Sequence, residues 1–259
     1  GELSLFLFTR GLWLVVLEFT VVRLGITFNL YYDFVIFQVI WVIGASMLVL
    51  AALVYLPQRV ILTIGLILVF GHNLLDLVLL QPSDSGYVVW AILQQSGSAS
   101  FAPGNFTQIV YPLIPWLGIM LTGYGAGFIY SKNFDHVQRK RILMNAGIIA
   151  ILLFVILRYT NLYGDPRIWS DQKNAIFTVM SFLNVTKYPV SLLYTLMTLG
   201  PILVIMGLME NWKTNFFEPA RIVGRVPLFY YILHFYLSHL TALCVFMITT
   251  GTSWSEINF

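Results

Sequence analysis

Charge is scarce in this 259-residue chain: only 10% of its residues are Asp, Glu, Lys or Arg, against about 25% in a typical soluble domain. Hydrophobic residues make up 59% of the chain and aromatic residues 16%, and the mean hydropathy is +0.83. This composition excludes water-soluble enzyme folds and disordered chains. A single cysteine, Cys244, excludes a scaffold held by disulfides. The sequence therefore predicts an integral membrane protein.

Common catalytic motifs are missing as well. The chain contains no Gly-rich phosphate-binding loop, no Gly-x-Ser-x-Gly nucleophile motif and no His-Glu-x-x-His metalloprotease motif. The last apolar segment has two histidines, His234 and His239, but a spacing of five residues does not direct both side chains to one ion. We therefore predict no metal site.

Long apolar segments dominate the chain instead. They lie at about residues 5–26, 34–56, 60–80, 109–130, 142–158, 190–209 and 228–249. Most are long enough to cross a hydrocarbon core of about 30 Å as a helix, although 142–158 is short. Because backbone groups in lipid must be satisfied within the segment, each is expected to be helical. We predict an all-α polytopic transmembrane bundle of about seven spans, forming one domain over residues 1–259.

The basic residues predict the orientation of these spans. Loops 57–59, 131–141 and 210–227, together with Arg10, hold nine of the 14 Lys and Arg residues, so we expect these loops to be cytoplasmic. Two long loops, 81–108 and 159–189, then lie on the outer side. Each has an apolar middle that is too short to span, which favours an interfacial or re-entrant helix. The two loops could form a lid over a cavity that opens outward, or they could simply connect spans.

Polar residues inside the spans are costly and need a partner or a function. His72 and Asp76 are four residues apart, so on an α-helix they share a face, with Asn73 beside them. An aspartate next to an imidazole supports a general base, although a polar cluster that joins two helices would look the same. Glu18 needs a partner such as Arg23 or His72, or must be protonated, while Arg23 is expected to reach the outer surface.

Other candidate residues lie in the outer loops and the last span. The polar side chains of the 159–189 loop are of the types that bind sugars or phosphates. The alternative interpretation is that they are simply solvated, as in most loops. His234 shares a stripe with Tyr231, where packing between helices is the simpler explanation. The loop candidates for substrate binding are Arg158, Asn161, Asp165, Arg167 and Lys187.

The order of several short motifs resembles bacterial membrane proteins related to heparan-α-glucosaminide N-acetyltransferase. The supporting segments, in order, are Thr9-Arg10-Gly11-Leu12-Trp13, His72-Asn73-Leu74-Leu75-Asp76, Tyr111-Pro112-Leu113-Ile114-Pro115-Trp116, Tyr163-Gly164-Asp165-Pro166, Thr186-Lys187-Tyr188-Pro189 and Gly224-Arg225-Val226-Pro227-Leu228-Phe229-Tyr230-Tyr231. The resemblance implies a membrane-embedded acetyltransferase of the bacterial inner membrane. Acetyl-CoA from the cytoplasm would donate an acetyl group to an amino sugar or another glycan on the opposite side.

The resemblance does not assign the family's catalytic histidine to any residue here, and His72 is either a base or a partner of that histidine. The candidate residues themselves suggest the following roles as a hypothesis. His72, Asp76 and Glu18 would form the catalytic cluster, Asn73, His234 and the loop residues would bind the acceptor, and Arg10, Arg221 and Arg225 would meet the phosphates of CoA. The family usually begins with an Asp-x-x-Arg-Gly helix and a loop that carries its catalytic histidine. Neither is found here, so we expect the chain to be the C-terminal part of a longer acyltransferase domain, able to form homo-oligomers.

Two other functions remain open at this point. A membrane-embedded cluster of His, Asp and Glu also suits a proton-coupled transporter or flippase of a polar lipid or glycan. A scaffold without catalytic activity is the third alternative. No inverted repeat is evident in the chain, which disfavours the transporter.

Overall fold

The computed structural model of the protein describes residues 1–101, 103–210 and 218–251. Its α-helices are α1 (Glu2–Leu17), α2 (Arg23–Thr27), α3 (Val39–Leu53), α4 (Gln58–Gly71), α5 (Tyr87–Leu93), α6 (Leu113–Ala126), α7 (His136–Thr160), α8 (Ala175–Leu183), α9 (Leu192–Met209), α10 (Glu218–Gly224) and α11 (Pro227–Thr250). Three short strands are β1 (Phe34–Phe37), β2 (Gly97–Ala99) and β3 (Phe106–Ile109). The predicted all-α class is confirmed.

Six continuous helical segments of the described residues are long and apolar enough to cross a membrane. Some of these segments join an α-helix to a π-helical or 3₁₀ turn. They are Glu2–Thr27, Gln58–Leu77, Leu113–Tyr130, His136–Thr160, Leu192–Met209 and Pro227–Thr250. Helix α3 is also apolar but has only 15 residues. The polytopic bundle of about seven spans is thus confirmed, with α3 as its shortest member.

Two predicted span boundaries are wrong, one because of a long-range strand pairing and the other because of a local helix cap. The segment 34–56 is not one helix, because residues 34–37 pair as a strand with 106–109 and leave only α3 as helix. The segment 142–158 belongs to a helix of 25 residues, the longest described. That helix begins earlier because the Asp135 side chain accepts a hydrogen bond from the Gln138 backbone N–H at 2.9 Å. The predicted loop 131–141 therefore ends at Asp135.

The predicted loop 210–227 is only partly described. It contains α10 and the start of α11, while residues 211–217 lie outside the described ranges, as do residues 252–259. Lys213, which contributed to the predicted orientation, falls in the first of these gaps.

The bundle is built from antiparallel helix pairs in close contact. A Cβ atom on Gly11 of α1 would lie 2.7 Å from the carbonyl oxygen of Gly44 in α3. The same holds for Gly147 of α7 against Gly200 of α9, and α4 and α6 pack in the same way through their own glycines. Small residues allow backbones to approach in this manner, and such packing stabilises helix association in lipid. Helix α11 packs beside α2, where the Tyr236 hydroxyl donates to the Val21 carbonyl oxygen at 2.7 Å.

One end of the bundle carries the small sheet, and we call it the sheet end. Strand β1 pairs with β3 in parallel and β2 pairs with β3 antiparallel, giving the order β1-β3-β2. Helix α5 coincides with the apolar run 87–93 and packs Tyr87 and Ala91 against Ile109 of β3. The middle of the 81–108 loop is therefore a helix, as predicted, and it covers the sheet.

Two glycines of α6 provide a matched test of this packing. A Cβ on Gly125 would lie 2.6 Å from the Leu62 backbone, whereas a Cβ on Gly123 meets nothing within 4 Å. We expect Gly125→Ala to lower the free energy of unfolding by about 1–3 kcal/mol through overpacking. Gly123→Ala should leave stability unchanged or slightly raised. Thermal unfolding in detergent measures both, and equal effects would contradict the close α4–α6 contact.

Candidate functional site

Glu18 lies in a π-helical turn, Glu18–Val22, that joins α1 to α2. Its side chain is fully buried, and Oε2 accepts a hydrogen bond from the Trp41 backbone N–H at 2.9 Å. Trp41 is in the first turn of α3, whose own N-cap residue, Gln38, makes no capping hydrogen bond with its side chain. Glu18 therefore caps a neighbouring helix and stabilises its unpaired N–H groups. Its other oxygen, Oε1, has no hydrogen-bond partner in the described part of the chain.

The structure gives Arg23 a different position from the predicted one. Its side chain is buried instead of reaching the surface. The guanidinium donates to the carbonyl oxygens of Asn29 and Phe34, both at 2.8 Å, and of Tyr31. These bonds hold the turn between α2 and β1, so Arg23 is not the partner of Glu18.

The end of α4 changes the geometry of the His72 motif. Residues His72–Leu77 form a 3₁₀ helix, in which side chains three residues apart are aligned. Accordingly, Asn73 Nδ2 donates to Asp76 Oδ2 at 2.6 Å, and no hydrogen bond or ion pair joins the described side chains of His72 and Asp76. The predicted His72–Asp76 pair is wrong, because it assumed α-helical spacing.

The hydrogen-bond partners of the His72 ring in the described part of the chain are all backbone carbonyl oxygens. Nε2 lies 3.0 Å from the Val190 oxygen, and Nδ1 lies 3.0 Å from the oxygens of both Leu68 and Val69. The residue is buried, so neither ring nitrogen is open to a substrate. This environment favours a positioning role over that of the predicted base, because the ring joins the end of α4 to the segment that precedes α9.

Asp76 faces a cleft at the sheet end. The cleft has a volume of about 290 Å³. Asp76 Oδ1 accepts from Gln94 Nε2 at 2.9 Å, while Gln94 is itself buried and also bonds the His72 carbonyl oxygen. Each Asp76 oxygen thus has one described donor and keeps further acceptor capacity. The cleft is lined by Asn73, Leu74, Asp76, Leu77, Leu162, Tyr163, Gly164, Asp165 and Pro166.

Tyr163 forms the opposite wall of this cleft. Its hydroxyl donates to the Phe70 carbonyl oxygen. Burial raises the pKa of the Tyr163 phenol, and the negative charge of nearby Asp76 raises it further. Tyr163 therefore stays protonated at neutral pH, and its single O–H proton is donated to Phe70, which leaves the phenol oxygen as an acceptor close to Asp76.

Asp165 lines the same cleft, but its oxygens are already occupied. Oδ1 accepts from the Arg167 N–H and the Thr186 hydroxyl, and Oδ2 accepts from the Thr186 N–H and the Ser191 hydroxyl, all at 2.7–2.9 Å. The carboxylate thus ties the 164–167 turn to residues 186–191. This saturation favours a structural role for Asp165 over direct binding of the acceptor.

The segment 186–192 connects the parts of the site. Beyond the bonds to Asp165 and His72, the Leu192 N–H donates to Asn73 Oδ1 at 2.9 Å. Asn73 thereby caps the start of α9 from the end of α4. On the other side of the segment, the hydroxyls of Tyr188 and Tyr111 lie 3.1 Å apart.

The remaining loop candidates do not converge on the cleft. Arg158 is buried and bonds four backbone carbonyl oxygens. Asn161 exchanges two hydrogen bonds with the Trp169 backbone. Arg167 has an exposed side chain without a hydrogen bond or ion pair to any described residue. Lys187 is also exposed and lies 5.0 Å from the Tyr188 ring, and the Tyr188 side chain raises the pKa of the Lys187 ammonium.

Glu18 and His234 are also separate from the cleft. His234 is exposed on α11 and packs against the rings of Tyr231 and Phe235. Glu18 bonds the Trp41 N–H, is not among the residues that line the cleft, and has no hydrogen bond to His72 in the described part of the chain. The expectation that Glu18 completes the His72 cluster is wrong.

In the described part of the chain, the three arginines predicted to bind phosphate have separate environments and do not form one cluster. Arg10 lies over the ring of Phe6 at 5.4 Å, Arg221 pairs with Glu218 at 2.6 Å, and Arg225 is exposed just before α11. All three are on exposed surface, so their side chains could contact an anionic group.

Sequence reasoning missed Gln94, Thr186 and Ser191, which complete the hydrogen-bond network of the cleft. Gln94 lies at the end of a short helix in a polar stretch, and Ser191 is the N-cap of α9. The only available signal was the Ser before an apolar run, which is typical of a helix start. Nothing in the local sequence indicated Gln94.

A comparison with family models finds one match. The model described as "Heparan-alpha-glucosaminide N-acetyltransferase, catalytic" matches residues 4–162, which is more than half of the chain. Comparisons with curated proteins and with solved structures find no significant match. The match includes Glu18, His72, Asn73 and Asp76 and ends just before Tyr163. The resemblance predicted from the motif order is confirmed.

The capping role of Glu18 can be separated from a catalytic role. Glu18→Ala removes the acceptor for the Trp41 N–H and should lower the free energy of unfolding by about 0.5–2 kcal/mol. Glu18→Gln keeps an amide oxygen at that position and should stay close to the wild type. Glu2→Ala, at an exposed position of the same helix, is the control. Thermal unfolding in detergent checks these values, and a Gln variant as unstable as the Ala variant would contradict the capping role.

Proposed function

Because the chain belongs to the heparan-alpha-glucosaminide N-acetyltransferase family, we propose that it is a membrane-embedded acetyltransferase. It transfers an acetyl group from cytoplasmic acetyl-CoA to an amino sugar, or to another glycan, on the opposite side of the membrane. The family match carries this proposal, and the six apolar helices support its membrane location. The motif resemblance to bacterial membrane proteins supports the bacterial inner membrane as its location. The Lys and Arg distribution supports a cytoplasmic position for loops 57–59, 131–141 and 210–227.

The cleft at the sheet end is the proposed acceptor site. A protonated amino group is a cation, and Asp76 is the carboxylate there with acceptor capacity left after its two described hydrogen bonds. Asn73 and Gln94 hold Asp76 in place, and the Tyr163 phenol oxygen can accept a hydrogen bond from the amine on the opposite wall. Asp165 and His72 fix the 186–192 segment that shapes the cleft, so we assign both a positioning role.

The reaction requires a neutral amine. The acceptor ammonium first loses one proton to water, and the neutral nitrogen then attacks the thioester carbonyl carbon. A C–N bond forms, the C–S bond breaks, and the departing CoA thiolate takes up a second proton from the amine nitrogen and leaves as the thiol. Asp76 would orient the amine and favour its approach by charge, because a charge-assisted hydrogen bond is stronger than a neutral one.

The proposed binding site for acetyl-CoA is based on the positive charge of three arginines. Arg10, Arg221 and Arg225 are the residues proposed to meet the phosphates of CoA, since a guanidinium binds phosphate with two parallel hydrogen bonds. Arg221 would exchange its bond to Glu218 for the phosphate.

The proposal is tested by acetyl transfer from labelled acetyl-CoA to glucosamine, with the full-length protein in vesicles. Asp76→Asn should lower kcat/KM about 10- to 100-fold, since a hydrogen bond to a charged group contributes about 1.5–3 kcal/mol. Affinity for acetyl-CoA should not change. Asp171→Asn, in the exposed loop before α8, is the matched control and should keep wild-type activity.

Two results would contradict the proposal. Full activity of the Asp76→Asn variant would exclude the cleft as the acceptor site. Movement of a glycan or polar lipid across the vesicle without any acyl donor, together with no acetyl transfer by the wild type, would favour the proton-coupled transporter.

A further inference from the structure

Helix α8 has its apolar stripe on the outside. Its most exposed apolar side chains are Ile176 (71%), Val179 (58%), Met180 (59%) and Leu183 (48%). Their spacing of three, four and seven residues places them on one face. A surface helix of a soluble protein directs such a stripe to the core, so α8 has the reverse arrangement.

The polar face of α8 is the one turned to the protein. The Thr178 hydroxyl accepts from the Gln172 N–H at 2.9 Å, and the Ser181 hydroxyl accepts from the Ser170 N–H at 3.2 Å. Phe182 lies between these contacts and the bundle, with its ring 5.8 Å from that of Phe154. The outward direction of the stripe is therefore fixed by specific bonds.

The depth of α8 follows from its anchors on α7. Arg158 bonds the carbonyl oxygens of Ser181, Phe182 and Asn184 at 2.8–3.0 Å, and so satisfies the C-terminal end of α8. Phe154 lies six residues before the end of α7, which corresponds to about 9 Å along a helix axis. Since α7 is a membrane-spanning segment, α8 lies level with its last two turns.

Groups suited to the lipid interface surround the stripe. Trp169 packs on Phe182, with ring centroids 5.3 Å apart, and tryptophan is enriched at this level of a membrane. Lys173 lies just before α8, with Nζ 4.2 Å from the Phe177 ring centroid. A groove of about 550 Å³ beside Phe177, Met180 and Leu183 opens next to the stripe.

We propose that α8 is an interfacial helix whose Ile176, Val179, Met180 and Leu183 stripe inserts into the lipid leaflet at the sheet end. Amphipathic helices of this kind bury their apolar face by about 5–10 Å, which is comparable with the distance of about 9 Å between Phe154 and the end of α7. Lys173 and Lys187 contact anionic headgroups from either end of the helix. The 159–189 loop is then attached to the membrane surface, which agrees with the interfacial form expected for its apolar middle and not with a loop that moves as a lid.

The test places single cysteines in the full-length protein with Cys244→Ser, labels them with a nitroxide and uses vesicles of phosphatidylcholine and phosphatidylglycerol. Collisions with oxygen relax a nitroxide that lies in lipid, whereas collisions with a water-soluble nickel chelate relax a nitroxide that is exposed to water. Val179→Cys and Met180→Cys should show a severalfold higher oxygen-to-nickel ratio than Asp171→Cys in the preceding loop. Their ratio should approach that of Ile149→Cys, an exposed position in the middle of α7.

Every other outcome overturns a part of the proposal. Nickel access at positions 179 and 180 equal to that at 171 would place α8 in water. Protection from both reagents would mean that protein, such as a second copy of the chain, covers the stripe. Removing phosphatidylglycerol, or changing Lys173 and Lys187 to Gln, should lower the immersion of position 179, and unchanged immersion would exclude the headgroup contacts.

Discussion

The constraint on which this structure depends is that helix ends at membrane depth must find hydrogen-bond partners. Several of the chain's costly polar side chains meet this need across helices. Glu18 caps α3, Asn73 caps α9, and Arg158 bonds the carbonyl end of α8. Each bond also joins two elements that are distant in sequence. The bundle and its sheet end are therefore held by the same side chains that satisfy the helix ends.

This constraint changes how buried polar residues are interpreted. A charged residue in a membrane helix suggests function, yet the groups here differ in how much of their hydrogen-bonding capacity is already used. Asp165 accepts four hydrogen bonds and His72 faces three carbonyls, so both are committed to structure. Asp76 has two donors and an open cleft beside it. Unused hydrogen-bonding capacity next to a cavity distinguishes Asp76, the residue proposed to bind the acceptor, from its neighbours better than residue type does.

The sequence predicted the helical bundle well because span length and hydropathy act locally. It also identified Asn73, Asp76 and Asp165, which share the cleft. It failed at the 3₁₀ turn, which aligns Asp76 with Asn73 instead of His72. It also failed at residues 34–37, which pair with a strand 72 residues further along the chain. Glu18 was grouped with the wrong cluster because spans do not reveal which helices are neighbours. The bonds of Gln94 depend on the same tertiary information.

The segment 186–192 shows how the cleft and the membrane surface are linked. It bonds Asp165, His72 and Asn73 on the cleft side, and it follows directly on α8, whose end is fixed by Arg158 to α7. If α8 lies in the lipid leaflet, segment 186–192 begins next to the bilayer and ends beside the cleft that contains Asp76. An acceptor attached to a lipid would then meet the cleft at the depth of its own headgroup. The position of α8 therefore bears directly on which acceptors the cleft can reach.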